Sequence, residues 1–391
     1  MTFLLLAPMA FAHSTAFGPT KLRALPENPD ELWAVAEGWG VLHSSDGGAG
    51  WVWLCEESLA TTTVYDVLPW ADNEALVATA TGVLHVGADC STRALEGLPA
   101  GFVLVMERWG TRAVVGWIGD GVGGLYTCDG DSCAATDVVG DYYFPKSLYA
   151  DGEVLWTTII HTDTLDAQLL RLDTESTSLI QDFPEGDTDP RVVFAEGDNV
   201  HLWVRPRTAA WTPEYRRSTD RGASFVSTFS TGYYTDPAPG VVVRDAGKEI
   251  LVGSYYGART WRSTDSGASF TEVSETVPAV KCGVALGERT LICADHLADG
   301  FDIAVSTDGT DFSPLACFEE VRPAACAAET CDDALVAWES AGAYGGGQCD
   351  AEADSANDDD PEPECECGGA SIIFALPLPV FLRRRYWPKT T

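Results

Sequence analysis

The sequence predicts an all-β fold, a seven-bladed β-propeller of four-stranded antiparallel blades, and three observations carry that prediction. The first is a repeat: Arg-Ser-Thr-Asp-Arg-Gly-Ala-Ser-Phe at 217–225 returns almost letter for letter at 262–270. Fainter copies are Ser44-Ser45-Asp46-Gly47-Gly48-Ala49-Gly50-Trp51 and Ser306-Thr307-Asp308-Gly309-Thr310-Asp311-Phe312. The second is spacing. Asp220 and Asp265 are 45 residues apart, Asp265 and Asp308 are 43 apart, and the 174 residues from Asp46 to Asp220 hold four such steps. Worn copies at Asp89, Asp129 and Asp173 complete a series of seven, and a period in the low forties is that of one propeller blade. The third is composition: 13 Trp, 12 Tyr and 38 Gly suit strands and turns, and no long stretch sustains a helical apolar period.

The pattern S-x-D-x-G-x-x-F/W resembles the Asp-box, or BNR repeat, of sialidase-like β-propellers. The resemblance places the boxes in the C–D turns of the blades. Its residues here are Ser44, Asp46 and Trp51; Ser218, Asp220, Gly222 and Phe225; Ser263, Asp265, Gly267 and Phe270; Ser306, Asp308 and Phe312; with Asp89, Asp129 and Asp173 in the worn copies. The chemistry is structural: hydroxyl and carboxylate bond to backbone N–H groups of a tight turn, glycine supplies a positive φ, and the aromatic fills the layer beneath.

In chain order, residues 1–12 form an apolar segment ending in Ala10-Phe11-Ala12, a signal-peptide cleavage pattern whose basic start is missing. The propeller is expected over 13–322. Its first blade reads as Lys21–Leu25, Leu32–Ala36, Gly40–His43 and Trp51–Leu54, with the turn Pro26–Pro29 between the first two. The scheme recurs most clearly at 240–244, 249–253, 260–263 and 269–273. Strands A to D alternate in direction, so A–B and C–D loops share one face and B–C and D–A loops the other. Residues 323–349 read as a Cys-rich cap with a strand at Ala334–Trp338, and 350–364 as an acidic, disordered linker that has almost nothing apolar to bury. In the last segment, 365–391, a Cys365-Glu366-Cys367 cluster, an apolar run and Arg383-Arg384-Arg385 resemble the MYXO-CTERM sorting signal of myxobacterial exported proteins. That resemblance implies processing at Cys365 or Cys367 and display on a bacterial cell surface.

Twelve cysteines at local spacings point to an oxidising compartment. Cys282 and Cys293 are equidistant from the turn Gly287-Glu288, and Cys128 and Cys133 flank Gly130-Asp131, so each pair faces across a hairpin at disulfide range. Zinc sites favour C-x2-C pairs with partner histidines, and no metal or other cofactor is expected. The net charge of −35 argues against nucleic acid as a partner. The chain is expected to be a monomer that meets the membrane only through its C-terminal anchor.

Ligands of propellers enter the central funnel on the face opposite the boxes, an expectation by fold analogy. The B–C and D–A loops there supply Trp39, Tyr142, Tyr143, His161, Asp163, Arg205, Arg207, Trp211, Tyr233, Tyr234, Tyr255, Tyr256, Arg259 and His296 as ligand-binding candidates. Aromatic faces, arginines and carboxylates are the groups a glycan or peptide site uses. Sialidases also carry a Phe/Tyr-Arg-Ile-Pro motif near the start, which this chain lacks, so no catalytic residue carries over. The function expected is a non-catalytic binding module for extracellular glycans or proteins. The alternatives are a sialidase-like glycoside hydrolase, with acids drawn from Asp163, Asp166, Asp236 and Asp299, and a structural envelope protein without ligand.

Overall fold

A computed structural model describes residues 19–36, 38–61, 63–136, 142–173, 176–183, 188–206, 212–231, 240–253, 259–295, 299–317 and 321–340, the side chains at 188, 206 and 337–340 excepted. Seven antiparallel sheets follow one another along the chain, spanning 19–55, 64–94, 102–135, 143–183, 188–230, 241–272 and 282–316. Each is a meander of four strands, so the fold is an all-β propeller of seven blades. The A strands line a central channel, and the D strands form the outer rim.

The B strands explain why the sequence does not alternate where a half-buried strand would. Leu32-Trp33-Ala34-Val35-Ala36 is buried at every position, as is Leu155–Ile160. Blades pack face to face, so the middle strands lose water on both sides and are mostly apolar, and the buried hydroxyls of Thr157 and Thr158 are hydrogen-bonded to Ser147. The D strands are only partly covered: Thr92–Ala94 is exposed at all three positions.

The ring closes by addition rather than by exchange. Arg322–Pro323 pairs parallel with Val52 and Trp53 on the outer strand of blade 1, making that sheet five-stranded. Beyond it the helix α1 (Ala328–Ser340) lies where a strand at Ala334–Trp338 was expected. Position 322–323 already occupies the open edge of blade 1, and the stretch Ala328-Glu329-Thr330 places an acid in the first helical turn, where it favours a helix. Disulfides Cys55–Cys331 and Cys90–Cys326 fasten this region to blades 1 and 2. The two hairpin disulfides are formed, Cys128–Cys133 and Cys282–Cys293, with each pair directly opposed in register.

Candidate functional site

The repeated turns come first, because they determine which face is left for a ligand. At the C–D turn of blade 5 the Ser218 hydroxyl donates to Asp220 Oδ1 at 2.7 Å and accepts the Gly222 N–H at 2.8 Å, while Asp220 Oδ1 accepts the Ser224 N–H at 2.9 Å. The same network recurs at Ser44–Asp46, Ser263–Asp265 and Ser306–Asp308. These bonds hold the carboxyl of Asp265 down at about 2, chiefly through Ser269, and those of Asp46, Asp220 and Asp308 below the usual range. The glycines do two jobs. Gly222 and Gly267 have φ of +82° and +77°, and a Cβ on them would meet Ile180 at 2.7 Å and Tyr215 at 3.1 Å, both on the preceding blade. Phe270 likewise packs on Tyr215 and Phe229 of blade 5, and the Trp51 indole donates to Gly48 O.

The worn copies differ. Asp89, Asp129 and Asp173 all lie at C–D turns, but the residues two places before them are Gly87, Thr127 and Arg171 rather than serine. Asp129 opens a two-residue hairpin turn, and Asp89 and Asp173 cap short turns through Ser91 and Ser176. The loops are too short to hold the full network.

The channel holds a cavity of about 450 Å³ whose wall draws on all seven A strands or the residues that lead into them. Its charge is the reverse of the chain's. Among the described residues Lys21, Arg23, Arg108, Lys146, Arg191 and Lys281 line it, with only Asp66 and Glu107 as acids, so a quarter of the 24 Lys and Arg residues of a −35 protein gather here. Arg23 crosses between blades: it donates to Asp66 Oδ2 and Glu107 Oε2, each at 3.2 Å, and to Met106 O at 2.8 Å. Burial pulls its pKa down, but the two carboxylates more than offset this and raise it. Asp66 is fully buried and also accepts the N–H groups of Met106 and Val67. It is a bracket between blades 2 and 3, as the Ser147 hydroxyl, accepting the Val192 N–H at 2.8 Å, is between blades 4 and 5.

The predicted loop residues divide. Tyr142 and Tyr143 flank His161, stacked at 5.8 Å and edge-on at 4.9 Å, at the start of blade 4. His161 Nδ1 accepts the N–H groups of Asp163 and Thr164, so this histidine organises its turn and presents Tyr142, which is 55% exposed. Arg205 lies with Lys146 and Arg191 around the buried Asp189. Arg259 instead turns outward, paired with Glu272 on the D strand and lying over Trp261. Trp39 packs on the core of blade 1, its carbonyl accepting the Trp53 indole N–H. Of the acids, Asp299 is occupied by the N–H groups of Asp295 and Ala279. Arg207, Trp211, Tyr233, Tyr234, Tyr255, Tyr256, His296, Asp236, Cys365 and Cys367 lie outside the described residues. Sequence reading missed the channel wall itself and the 46% exposed Phe102, set against Tyr65. Among the described residues no group of three or more metal-ligating side chains is gathered, and no helix is long and apolar enough to cross a membrane.

No family model and no curated protein matches the chain. Solved structures do. YCF48 from Cyanidioschyzon merolae is 15% identical over 72% of this chain and 95% of its own, with a TM-score of 0.51. The Myceliophteria thermophila Cps50 (Swd1) β-propeller domain is 11% identical over 74% and 97%, with a TM-score of 0.50. The extracellular domain of the putative one-component system BT4673 from B. thetaiotaomicron matches at 0.50 and 11% identity over 75% of this chain and 39% of that one. At these identities the likeness is one of fold alone.

Proposed function

We propose that the chain is an exported, cell-surface-anchored propeller that acts as a non-catalytic binding module for extracellular glycans or proteins. The ligand meets the B–C and D–A face, over the mouth of the channel. The observation that carries this reading is how the channel spends its acids. A glycoside hydrolase needs two carboxyl groups free to reach the scissile bond. Asp66 and Glu107 are both engaged by Arg23, and Asp66 is sealed from solvent. What the channel wall offers a ligand is cationic. Export is supported by four disulfides of known pairing and a further one at Cys317, which a reducing cytosol does not sustain.

The test is the chain made in an oxidising host and screened on a glycan array beside a fluorogenic glycoside panel. Binding without turnover is the expected result. Turnover lost in Asp163→Asn, Asp166→Asn, Asp236→Asn or Asp299→Asn would replace this reading with the sialidase-like hydrolase, and silence in both screens would leave a structural envelope protein.

A further inference from the structure

Seven large apolar side chains stand exposed among the described residues, and four of them belong to one face of blades 3 and 4. Phe102, Val122, Tyr142 and Leu165 are 46, 36, 55 and 43% exposed. Phe102 opens an A strand, Val122 opens a C strand, Tyr142 precedes an A strand and Leu165 lies in a B–C turn, so strand direction puts all four on the B–C and D–A face. They adjoin one another step by step. Phe102 lies opposite Ile118, and Ile118 opposite Gly123, across the three inner strands of blade 3. Val122 is next to Gly123, which approaches blade 4 so closely that a Cβ on it would collide with the Tyr143 carbonyl. The Tyr142 carbonyl accepts the Thr162 N–H at 2.6 Å, and the Leu165 N–H donates to His161 O at 3.0 Å. Tyr65 of blade 2 extends the row, its ring edge-on to Phe102 at 6.4 Å.

Two further features mark this surface as built for contact. Leu165 is held at φ +64°, a conformation that costs a leucine energy, in a turn fixed by the Asp163 and Thr164 N–H groups on His161 Nδ1. The strain holds an apolar side chain out in water. The second feature is charge: the loops of this face at blades 3 and 4 carry Glu96, Asp120, Asp163 and Asp166 and, among the described residues, no Lys or Arg. Asp120 is two residues from Val122, and Asp163 and Asp166 flank Leu165.

We propose that this patch docks a segment of a partner protein whose apolar side chains are interspersed with lysine or arginine. The proposal rests on the binding-module reading and names the class of ligand and the surface that takes it. The partner's apolar side chains bury against Phe102, Val122, Tyr142 and Leu165, and its cations meet the acidic rim. The same acids argue against other occupants. A second copy of a chain of charge −35, or an anionic bilayer, would set negative charge against negative charge. A glycan stacks on aromatic rings and has less use for the aliphatic Val122 and Leu165.

The test is fluorescence anisotropy of the full chain with labelled synthetic peptides made of repeated Lys-Leu-Lys-Phe, Glu-Leu-Glu-Phe or Lys-Ser-Lys-Gly. Saturable binding of the first is expected, weakening as salt rises, with the other two bound about tenfold or more weakly. Phe102→Ser and Leu165→Gly should each weaken the first peptide about tenfold, the loss of one anchoring contact. Leu165→Gly should also melt no lower than the parent chain, because glycine relieves the positive φ, so its lost binding is not lost folding. Val226→Ser, at an exposed apolar position on the D strand of blade 5, should leave affinity unchanged. Absence of saturable binding, equal binding of the Lys-Ser-Lys-Gly peptide, or affinity unchanged in both patch variants would overturn the proposal. Glycan capture lost in the patch variants would give the patch to a glycan instead, and self-association lost in Phe102→Ser would give it to a second copy. Glycan or protein capture that survives in both patch variants would remove this docking site and leave the binding-module reading intact.

Discussion

In blades 5, 6, 7 and 1 the C–D turn of each blade is seated on the blade before it through a glycine, whereas in blade 3 the C–D turn reaches blade 2 through a charged residue, Asp131, paired with Arg93. Gly222 sits against Ile180, Gly267 against Tyr215 and His201, Gly309 against Arg244, and Gly48 against Leu315, so the first arc carries its seams on the box face. Other links lie in or beside the channel: the Arg23–Asp66–Glu107 bracket joins blades 1, 2 and 3, and the Ser147 hydroxyl adds a second link between blades 4 and 5. The same four-stranded unit can therefore be locked to its neighbour at the rim of a turn or at the wall of the channel. The choice has a consequence for binding. Where the lock lies in the channel, the wall is polar and charged.

The largest effect should come from the closure between the two arcs. Cys90–Cys326 closes 236 residues of chain and Cys128–Cys133 only 5. On the chain-entropy account, removing the former as a Cys→Ser pair should cost about 4–5 kcal/mol and removing the latter about 2 kcal/mol. Guanidinium unfolding midpoints compare them directly, and equal losses would mean that closure does not depend on the long staple.

The channel lock comes next. Arg23→Met leaves Asp66 buried without its cation and should cost about 3 kcal/mol, with Asp66→Asn in the same chain recovering part of the loss. Urea denaturation of the two single variants and the double variant measures the coupling. The turn lock is smaller. Gly222→Ala adds a Cβ at φ +82° and 2.7 Å from Ile180 Cγ2, and should cost roughly 1–3 kcal/mol. Gly130→Ala in blade 3 has φ +58° with nothing within 4 Å, and should cost only about 1 kcal/mol. If the two are equal, seating on the preceding blade contributes nothing and the glycine serves φ alone.

Much of this ring was legible in the sequence because the period and the box are local. Ser263 and Asp265 are two residues apart, and their hydrogen bonds need no other part of the chain. Cys282 and Cys293 were equally readable, since a hairpin fixes its own register. The channel was not. Lys21, Lys146 and Arg191 sit on A strands, where each looks like one polar position in a half-buried strand. Only closure of seven blades brings them to one cavity. The long disulfides were hidden for the same reason: nothing local distinguishes Cys331 as the partner of Cys55, 276 residues away. The strand expected at Ala334–Trp338 is replaced by a helix because Arg322–Pro323 already fills the open edge of blade 1, a pairing that apolar content does not reveal.

The smallest prediction separates the arcs by pH. In the boxed arc the folded state holds Asp46, Asp220, Asp265 and Asp308 below the ordinary carboxyl value. A depressed pKa stabilises the fold above the unfolded value and loses that contribution as pH falls, here from about 4 towards 2. Glu56 behaves oppositely. It lies in the D–A connection from blade 1 to blade 2, and its carboxyl is pushed up to about 7 by burial, against the Val64 N–H that it accepts and with help from Glu57. A raised carboxyl favours the fold fully below its unfolded value of 4.5 and loses that favour as pH climbs through about 7. The stability profile should therefore fall at both ends for different residues. Asp265→Asn should lower the melting temperature at neutral pH and flatten the acid limb. Glu56→Gln, partly exposed and so worth roughly 1 kcal/mol at most after solvent screening, should flatten the alkaline limb and leave the acid one unchanged. Melting temperatures across the pH range read both limbs in one series. An acid limb that persists in all four box variants would locate the acid sensitivity outside the boxes, at Asp89 or Glu272, whose carboxylates are also held low.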